Sequence, residues 1–369
     1  MKASGAGIGS EFGLSKAGGY RYSLARHGFA ASSGGVSYVA NGRAALGLAI
    51  RRLRQMATDG RNGVLLPAYL CHSMIQPFRE QGLRIGFYPV DGDLSIDPAD
   101  VTERIDTKTL AVLWMHYFGF GQPLDLLCRI AKDHPHVAVI DDRTHMLGTD
   151  LQTAGLCSTT TIQVYSPRKW GPFPDLGLVI WPNPPAESDS LSRLMDGGYD
   201  SGFAFWRLAG VVLRALYFAF PVETLRGSSL SAFRRADDRL DRRVRVCQPS
   251  PISRFLWRHW QWADACRIRR ANFRYLLERW TATDAVPLYG ELPDSVCPLG
   301  FPIRTADRQR LRQRLIAQQI FPPVHWVRPS EVPARDFPQA AALAEEELTI
   351  PIDQRYTLQH MDHILETVG

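Results

Sequence analysis

Residues 137–145 read VAVIDDRTH, a short apolar run that ends in two aspartates and, three residues later, a histidine. Four consecutive apolar residues with polar neighbours are typical of a strand that is buried on both faces. Helical patterns separate several such runs, which would build a mostly parallel sheet covered by helices on both faces. The other runs are VLL (64–66), LAVLWM (110–115), TIQVY (161–165) and LVIW (178–181).

Composition divides the 369-residue chain into three parts. Residues 1–35 are rich in Gly, Ser and Ala without hydrophobic periodicity, which predicts an N-terminal arm. Residues 36–250 contain the alternating strands and helices and become mostly helical after 190, so we expect a large α/β domain there. For residues 251–369 we expect a bridging helix followed by a small α+β domain.

The expected C-terminal part begins with a stretch rich in Trp and Arg at 252–280, which we interpret as one bridging helix. Thr305 is the expected N-cap residue of a later helix. Two strands and two helices are predicted by the same periodicity: strands at 300–303 and 348–352, helices at 305–319 and 357–368.

Charge and cysteine content exclude several classes of protein. Hydrophobic residues make up 45% of the chain and charged residues 22%, which fits a globular protein and not a disordered or collagen-like one. The net charge of +6 is mild, and without a nucleic-acid-binding motif we expect no nucleic-acid partner. The six cysteines show neither a CxxC pair nor zinc-ligand spacing, so we expect no disulfide framework and a reducing, cytoplasmic location.

One stretch, FAFWRLAGVVLRALYFAF at 203–220, is apolar enough to suggest a membrane span. Arg207 and Arg214 lie within it, and each would cost about 2.5–3.5 kcal/mol at the centre of a bilayer. The two arginines are seven residues apart and therefore share one helix face. We expect an amphipathic helix that packs on the core or on a partner chain, with contact to a membrane surface as the alternative.

Two features place reactive side chains next to predicted strands. Lys169 follows a strand and stands beside Arg168, and a neighbouring cation or a dry pocket lowers the pKa of a lysine toward that of an amine nucleophile. Asp142 ends a buried strand, with His145 three residues on, where open α/β sheets bind ligands. Asp141 would point to the opposite face and matter less. Alone, these features also fit a solvated lysine, a structural turn or a metal site.

A third feature is the predicted helix start at Asn41, Gly42 and Arg43. Free N–H groups and the positive end of the helix dipole suit a phosphate there, although an ordinary capped helix explains the pattern alone. A phosphate cradle, a strand-end carboxylate and a lysine are together what pyridoxal phosphate (PLP) requires. The Lys169 amine would bind the aldehyde, and Asp142 would keep the pyridine nitrogen protonated.

Five segments of the chain occur in the order found in one enzyme family. They resemble the phosphate-binding, strand-and-proline, His-x-x-Gly, Asp-containing and Schiff-base lysine segments of the DegT/StrS-like sugar aminotransferases, which are fold-type I PLP enzymes. The segments are NGRAAL (41–46), VLLPAYLCHS (64–73), HYFG (116–119), DDRTH (141–145) and YSPRK (165–169).

The resemblance implies a role for each matching residue. Lys169 would be the Schiff-base lysine and Asp142 the partner of the pyridine nitrogen. His145 would lie against the cofactor ring near its 3-hydroxyl, and Ser166 would bind the phosphate together with the start of the first helix. Cys71 stands near the position where many members stack an aromatic residue on the cofactor.

The resemblance also implies the fold, the partners and the reaction. The fold would be that of fold-type I PLP transferases, with a mostly parallel seven-stranded sheet and a small C-terminal α+β domain. The active sites would lie at the interface of a homodimer. The reaction would move an amino group, from glutamate as donor, to a keto group of a nucleotide-linked sugar in polysaccharide or secondary-metabolite biosynthesis.

Two alternatives remain open. A PLP-dependent sugar dehydratase, or another PLP enzyme that does not transaminate, fits the same scaffold, but the dehydratases resemble a version in which the lysine is replaced. Lys169 is present in this chain. A catalytically lapsed homologue that serves in assembly also fits, because Cys71 and Leu176 depart from the family pattern and the 203–220 stretch is unusually apolar.

Overall fold

The computed structural model describes residues 7–9, 11–12, 35–146, 161–182, 191–260 and 262–369. The strands in these residues are β1 Ile8–Gly9, β2 Val36–Val39, β3 Gly63–Pro67, β4 Arg84–Tyr88, β5 Thr109–Met115, β6 Ala138–Asp142, β7 Thr161–Tyr165, β8 Gly177–Ile180, β9 Val286–Pro287, β10 Phe301–Arg304, β11 Ile320–Phe321 and β12 Glu347–Ile350. The helices are α1 Gly42–Met56, α2 His72–Glu80, α3 Pro98–Thr102, α4 Leu124–Asp133, α5 Ser201–Ala219, α6 Glu223–Arg242, α7 Pro251–His259, α8 Trp262–Arg279, α9 Arg308–Ala317, α10 Pro338–Glu346 and α11 Leu358–Val368.

Seven of the described strands form one central sheet, in the order β2-β8-β7-β6-β5-β3-β4. The strands from β3 to β7 pair in parallel, whereas β8 runs antiparallel to both of its neighbours. Every residue of β5, β6 and β7 is buried, as expected of strands that are covered on both faces. The predicted mostly parallel, seven-stranded α/β fold is therefore confirmed.

β6 lies in the middle of this sheet and ends at the candidate site. Its register places Asp142 between Met115 of β5 and Val164 of β7. The backbone N–H of His116 donates to the Asp142 carbonyl at 3.2 Å. The carboxyl ends of three parallel strands consequently bring the segments that follow β5, β6 and β7 to one edge of the sheet.

The start of α1 is held close to β8. Asn41 is the N-cap residue, and its side-chain oxygen accepts a hydrogen bond from the N–H of Ala44 at 3.0 Å. A Cβ on Gly177 would lie 2.4 Å from the Asn41 carbonyl oxygen, so only glycine fits there. The preceding residue, Leu176, has a φ of 145°, a conformation that costs a residue other than glycine about 1–3 kcal/mol. Leu176, which departs from the family pattern, thus lies at a strained backbone position.

α5 and α6 form a helical hairpin beside the sheet. α5 is the one described helix that is long and apolar enough, by length and composition alone, to cross a membrane. Its arginines face the protein, as the seven-residue spacing predicts: Arg207 is 2% exposed and Arg214 is 3% exposed. The Arg207 guanidinium lies 4.7 Å from the centre of the Phe233 ring on α6. α5 thus packs its charged face against protein.

The opposite face of α5 is apolar and exposed. Three large side chains lie 7 and 4 residues apart along it and share one helix face, and Phe220 follows directly after the last helical residue. We call them the α5 stripe: Phe205 (60% exposed), Val212 (40%), Leu216 (41%) and Phe220 (64%).

The C-terminal part has its own small sheet, in the order β12-β10-β9, and its own hydrophobic core. β10 pairs antiparallel with both β12 and β9, so this part is α+β. The described N-terminal residues join it, because β1 pairs in parallel with β11. The predicted division of the chain at 35 and 250 stays a prediction.

Two predictions for the C-terminal part are wrong. The expected single helix at 252–280 is divided between α7 and α8, because Trp260 adopts an extended backbone and packs its ring against Phe173 and Trp262. The N-cap residue of α9 is Asp307, not Thr305, since the Asp307 carboxylate accepts from the N–H of Arg310 at 3.2 Å. In both cases a local contact decides where a helix begins or ends.

The sequence predicts no disulfide framework, but one cysteine of the described residues is disulfide-bonded. Cys128 on α4 is disulfide-bonded, whereas the other cysteines of the described residues (Cys71, Cys247, Cys266 and Cys297) are free. Cysteine spacing could not show this, because disulfide pairing depends on the fold and not on local sequence. Disulfides are uncommon in reducing compartments, and the cytoplasmic location stays a prediction.

Candidate active site

A cleft of about 610 Å³ lies where the central sheet meets the C-terminal part. Lys169 and Cys71 line it from the large domain. His325 and Trp326 line it from the C-terminal part, and Glu11 from the N-terminal residues. Three distant stretches of sequence therefore build one site.

Lys169 sits at the end of a one-turn 3-10 helix, Pro167–Lys169, that connects β7 to β8. Its Nζ donates a hydrogen bond to Oγ1 of Thr144 at 3.3 Å. Burial lowers the pKa of the Lys169 amine, and the neighbouring Arg168 adds to this, while Cys71 and Asp142 oppose it. A lower pKa increases the fraction of neutral amine, the form that attacks a carbonyl group.

Asp142 ends β6 and is 1% exposed. Its Oδ1 accepts a hydrogen bond from the backbone N–H of Thr144 at 2.9 Å. Burial raises the pKa of Asp142, while the positive charge of Lys169 and the hydrogen bond from Thr144 act in the opposite direction. Asp142 is thus a buried carboxylate whose electrostatic partner is the candidate lysine, as the predicted roles require.

Asp141 belongs to a different buried cluster. Its carboxylate lies 2.7 Å from Nε2 of His116 and 2.6 Å from Nε of Arg143. Nε2 of Gln163 donates to it at 3.3 Å. Burial alone would raise the pKa of Asp141, but Arg143 and His116 hold it at about 2. The alternation along β6 therefore gives Asp141 a structural environment and directs Asp142 toward the lysine.

The first turn of α1 lies beside the segment that carries Lys169. A Cβ on Gly42 would lie 3.4 Å from Cβ of Ser166 and 3.4 Å from Cγ2 of Thr144, so a larger side chain would fill the space between them. Ser166 is only 4% exposed. Helix N–H groups, a close backbone approach and a serine hydroxyl together suit a phosphate. Arg43, in contrast, is engaged by Asp241 at 2.7 Å and by Gln76 at 3.1 Å.

His145 has a defined hydrogen-bonding pattern. The backbone N–H of Phe118 donates to its Nδ1 at 3.3 Å, so the proton of the neutral ring lies on Nε2. Burial, together with the charge of Lys169 and the ring of His325, lowers the pKa of His145 well below its usual value. The Trp326 ring lies 5.2 Å away, centre to centre. His145 is therefore a neutral donor within an aromatic enclosure.

Cys71 is the N-cap residue of α2 and lies at the mouth of the same cleft. Its Sγ is 2.9 Å from Oγ of Ser73. The large aromatic group nearest to His145 in this region is Trp326, whose ring also packs 5.4 Å from that of Tyr69. An aromatic residue from the C-terminal part thus lines the same cleft as Cys71 and packs against His145.

The structure brings together five of the predicted site residues: Gly42, Asp142, His145, Ser166 and Lys169. Thr144 joins them, because it contacts Lys169, Asp142 and the space in front of Gly42. Its position in the sequence between two predicted site residues, Asp142 and His145, is the feature that could have indicated this role. The sequence did not predict a role at the site for Glu11, which lines the cleft, or for Arg207, which binds Glu11. No group of three or more metal-ligating side chains occurs among the described residues.

A family model supports the resemblance to known enzymes. The model of the DegT/DnrJ/EryC1/StrS aminotransferase family matches residues 28–170, a range that contains every residue of the predicted cofactor site. The predicted resemblance to this family is confirmed over residues 28–170. No curated protein sequence matches the chain.

Solved structures of low sequence identity share the fold. The sugar aminotransferase CalS13 from Micromonospora echinospora superposes with a TM-score of 0.59 at 19% identity, over 90% of this chain and 86% of its own. DesV from S. venezuelae, solved in complex with a ketimine intermediate, gives 0.60 at 19% identity, over 94% and 90%. The PLP-form of Spr1654 from Streptococcus pneumoniae gives 0.62 at 15% identity, over 90% and 86%. These likenesses confirm the fold of PLP-dependent aminotransferases.

Proposed function

We propose that this chain is a PLP-dependent aminotransferase that acts on a sugar. The observation that carries this proposal is the contact of Lys169 with Thr144, which also holds Asp142 through its backbone N–H. A buried lysine of lowered pKa, a strand-end carboxylate and a phosphate cradle then lie around one space. Few cofactors other than PLP need all three groups together.

The residues of the cleft fit PLP. The space between Gly42 and Ser166 would take the phosphate, since a Cβ would begin to fill it. Asp142 would hold the ring nitrogen, His145 would lie against the ring, and Lys169 would bind the aldehyde. When bound, PLP supplies an electron sink that makes the substrate carbon next to nitrogen acidic.

Lys169 would be the group that moves protons during the reaction. Burial lowers the pKa of the Lys169 amine and so increases its neutral fraction, the form in which Nζ can accept a proton from the substrate and return it to a neighbouring atom. Thr144 Oγ1, 3.3 Å away, orients Nζ for this transfer.

Asp142 and His145 would set the charge of the ring. A buried Asp142 carboxylate favours a proton on the ring nitrogen because an unpaired charge is costly in this environment. Nε2 of His145 carries the proton and would donate to the ring system, while the Phe118 backbone fixes the tautomer. These two residues would therefore stabilise opposite polar ends of one ring system.

The finer identity of the substrates rests on the family resemblance. We propose glutamate as the amino donor and a keto group on a nucleotide-linked sugar as the acceptor, in polysaccharide or secondary-metabolite biosynthesis in the cytoplasm. The test is to incubate the PLP-loaded protein with glutamate and a panel of nucleotide keto-sugars and to measure 2-oxoglutarate. Amino transfer to one or more of these sugars is expected. A protein that stays colourless with added PLP would instead favour a catalytically lapsed homologue.

We further propose a homodimer in which the α5 stripe is covered by the second copy. α5 also carries Arg207, whose guanidinium binds Glu11 of the cleft lining, so the stripe and this arginine lie on one helix. An exposed row of Phe, Val and Leu side chains is unusual on a monomer and marks an interaction surface. A membrane surface is the competing occupant, and measuring the oligomeric state separates the two.

A further inference from the structure

The N-terminal residues cross the mouth of the cleft. Ile8 and Gly9 pair with β11, and Gly9, Glu11 and Phe12 line the cleft that contains Lys169. Nη1 of Arg355 donates to the Glu11 carbonyl at 3.0 Å, and the Arg355 guanidinium lies 4.3 Å from the Phe12 ring centre. These contacts hold an acidic side chain in the lining of the cleft that contains Lys169.

The Glu11 carboxylate is bound as a substrate carboxylate would be. Nη2 and Nη1 of Arg207 donate to its two oxygens at 2.9 and 3.3 Å, which is a two-point contact. Arg207 is 2% exposed, whereas the Glu11 side chain is 38% exposed. The arginine thus belongs to the protein interior, and the carboxylate approaches it from the open side.

Arg168 is a second cation at the same place. It directly precedes Lys169 and lines the same cleft, and its Nε is buried without a hydrogen-bond partner among the described residues. Burial and the charge of Arg207 lower the pKa of Arg168 to about 10, while Glu11 and Asp237 oppose this. A buried donor without a hydrogen-bond partner destabilises the folded protein, and an acceptor that reaches it removes this cost.

Glu11 is one of two acids that lie against Arg207. Arg207 binds Glu11, and its Nη1 lies 3.8 Å from Oδ1 of Asp237. Burial raises the pKa of Asp237, so this acid is the weaker partner. If Glu11 leaves, the acid that remains against Arg207 is Asp237, whose side chain is 48% exposed, so the space can take another oxyanion.

We propose that Arg168 and Arg207 form an oxyanion-binding subsite beside Lys169, which Glu11 occupies in the free protein and which an anionic group of a substrate takes by displacing it. The proposal rests on the proposed function for its substrates. The amino donor carries carboxylates and a nucleotide-linked sugar carries phosphates, so both offer the required oxyanion. Their shared chemistry is two-point acceptance from a guanidinium.

The test measures binding of small anions to the full chain by isothermal titration calorimetry, with succinate and inorganic phosphate as probes. Glu11→Gln removes the competing charge and should tighten binding of at least one probe by about tenfold or more. Tightening of succinate alone assigns the subsite to a carboxylate, and tightening of phosphate alone assigns it to a phosphate. Unchanged affinity for both probes would overturn the subsite.

Matched variants separate the subsite from general charge effects. Arg168→Gln should weaken binding of the same probe about tenfold or more, and Arg168→Lys, which keeps the charge, should weaken it less. Glu223→Gln and Arg129→Gln change exposed residues and should have no effect (side chains 75% and 65% exposed). If Arg168→Gln weakens PLP binding and leaves both probes unaffected, the arginine serves the cofactor and the subsite is overturned.

Anion binding needs no turnover, so these titrations are independent of the proposed reaction. A protein that binds the probes as expected but transfers no amino group from glutamate would keep the subsite and lose the proposed function. A protein that transfers amino groups while Glu11→Gln leaves both anion affinities and the KM of both substrates unchanged would lose the subsite alone.

Discussion

Asp142→Asn removes one negative charge from the candidate site and keeps the size of the side chain. Asp142 is 1% exposed, so solvent cannot replace the lost charge. Losing a charge-assisted contact to developing charge in such a site costs about 2–4 kcal/mol of transition-state stabilisation, or roughly 10²–10³-fold in rate. We therefore expect amino transfer to fall by about that factor.

The fold should survive this change. In the wild-type protein the N–H of Thr144 donates to Asp142 Oδ1 at 2.9 Å. The amide oxygen that the substitution introduces can accept the same hydrogen bond. Covalent attachment of PLP to Lys169 should also persist, because the amine is untouched. The assay compares kcat for amino transfer, absorbance of bound PLP and the thermal unfolding midpoint. Unchanged kcat, or a fall in kcat that merely follows loss of folded protein, would refute the proposed role of Asp142.

Three further predictions concern stability and assembly. Asp141→Asn should lower the thermal unfolding midpoint more than Asp142→Asn, because it leaves the buried Arg143 without its charged partner; equal midpoints would contradict this. Burial raises the pKa of Glu347 to about 8, so its protonated form stabilises the fold below pH 4.5 and this stability is lost as pH rises toward 8. Glu347→Gln should therefore reduce the pH dependence of the free energy of unfolding, measured with urea between pH 4.5 and 8. An unchanged pH dependence would contradict this. Leu216→Glu should convert a dimer to a monomer in analytical ultracentrifugation, whereas loss of vesicle binding without a change in mass would favour a membrane as the occupant of the α5 stripe.

The central sheet could be predicted from sequence because its signals are local. Strands of a parallel sheet are buried on both faces and are therefore continuously apolar, so runs such as 110–115 and 137–140 predict them directly. The same alternation separates Asp141 from Asp142, and the structure gives them different environments. The order of these motifs along the chain then predicts that the helix start, the strand-end acid and the lysine lie at one edge of the central sheet.

The parts that sequence did not predict depend on contacts between distant segments. Glu11 reaches Arg207 only because β1 pairs with β11, and no periodicity in the first 35 residues indicates that pairing. Packing of Trp260 on Phe173 ends α7, although the surrounding residues favour a helix. The disulfide at Cys128 likewise depends on spatial proximity, which cysteine spacing does not report.

Covalent attachment of PLP tests the central claim most directly. The chain has only five lysines, so a labelled peptide identifies the modified lysine without ambiguity. Lys108 and Lys132 are exposed and are therefore available for nonspecific labelling. The PLP-loaded protein is reduced with borohydride, digested and mapped by mass spectrometry, with Lys132→Ala as the matched control for Lys169→Ala. We expect one modified peptide, containing Lys169, in the wild-type protein and in Lys132→Ala, and none in Lys169→Ala. Label on any other lysine, or no label in a protein saturated with PLP, would contradict the assignment of the site.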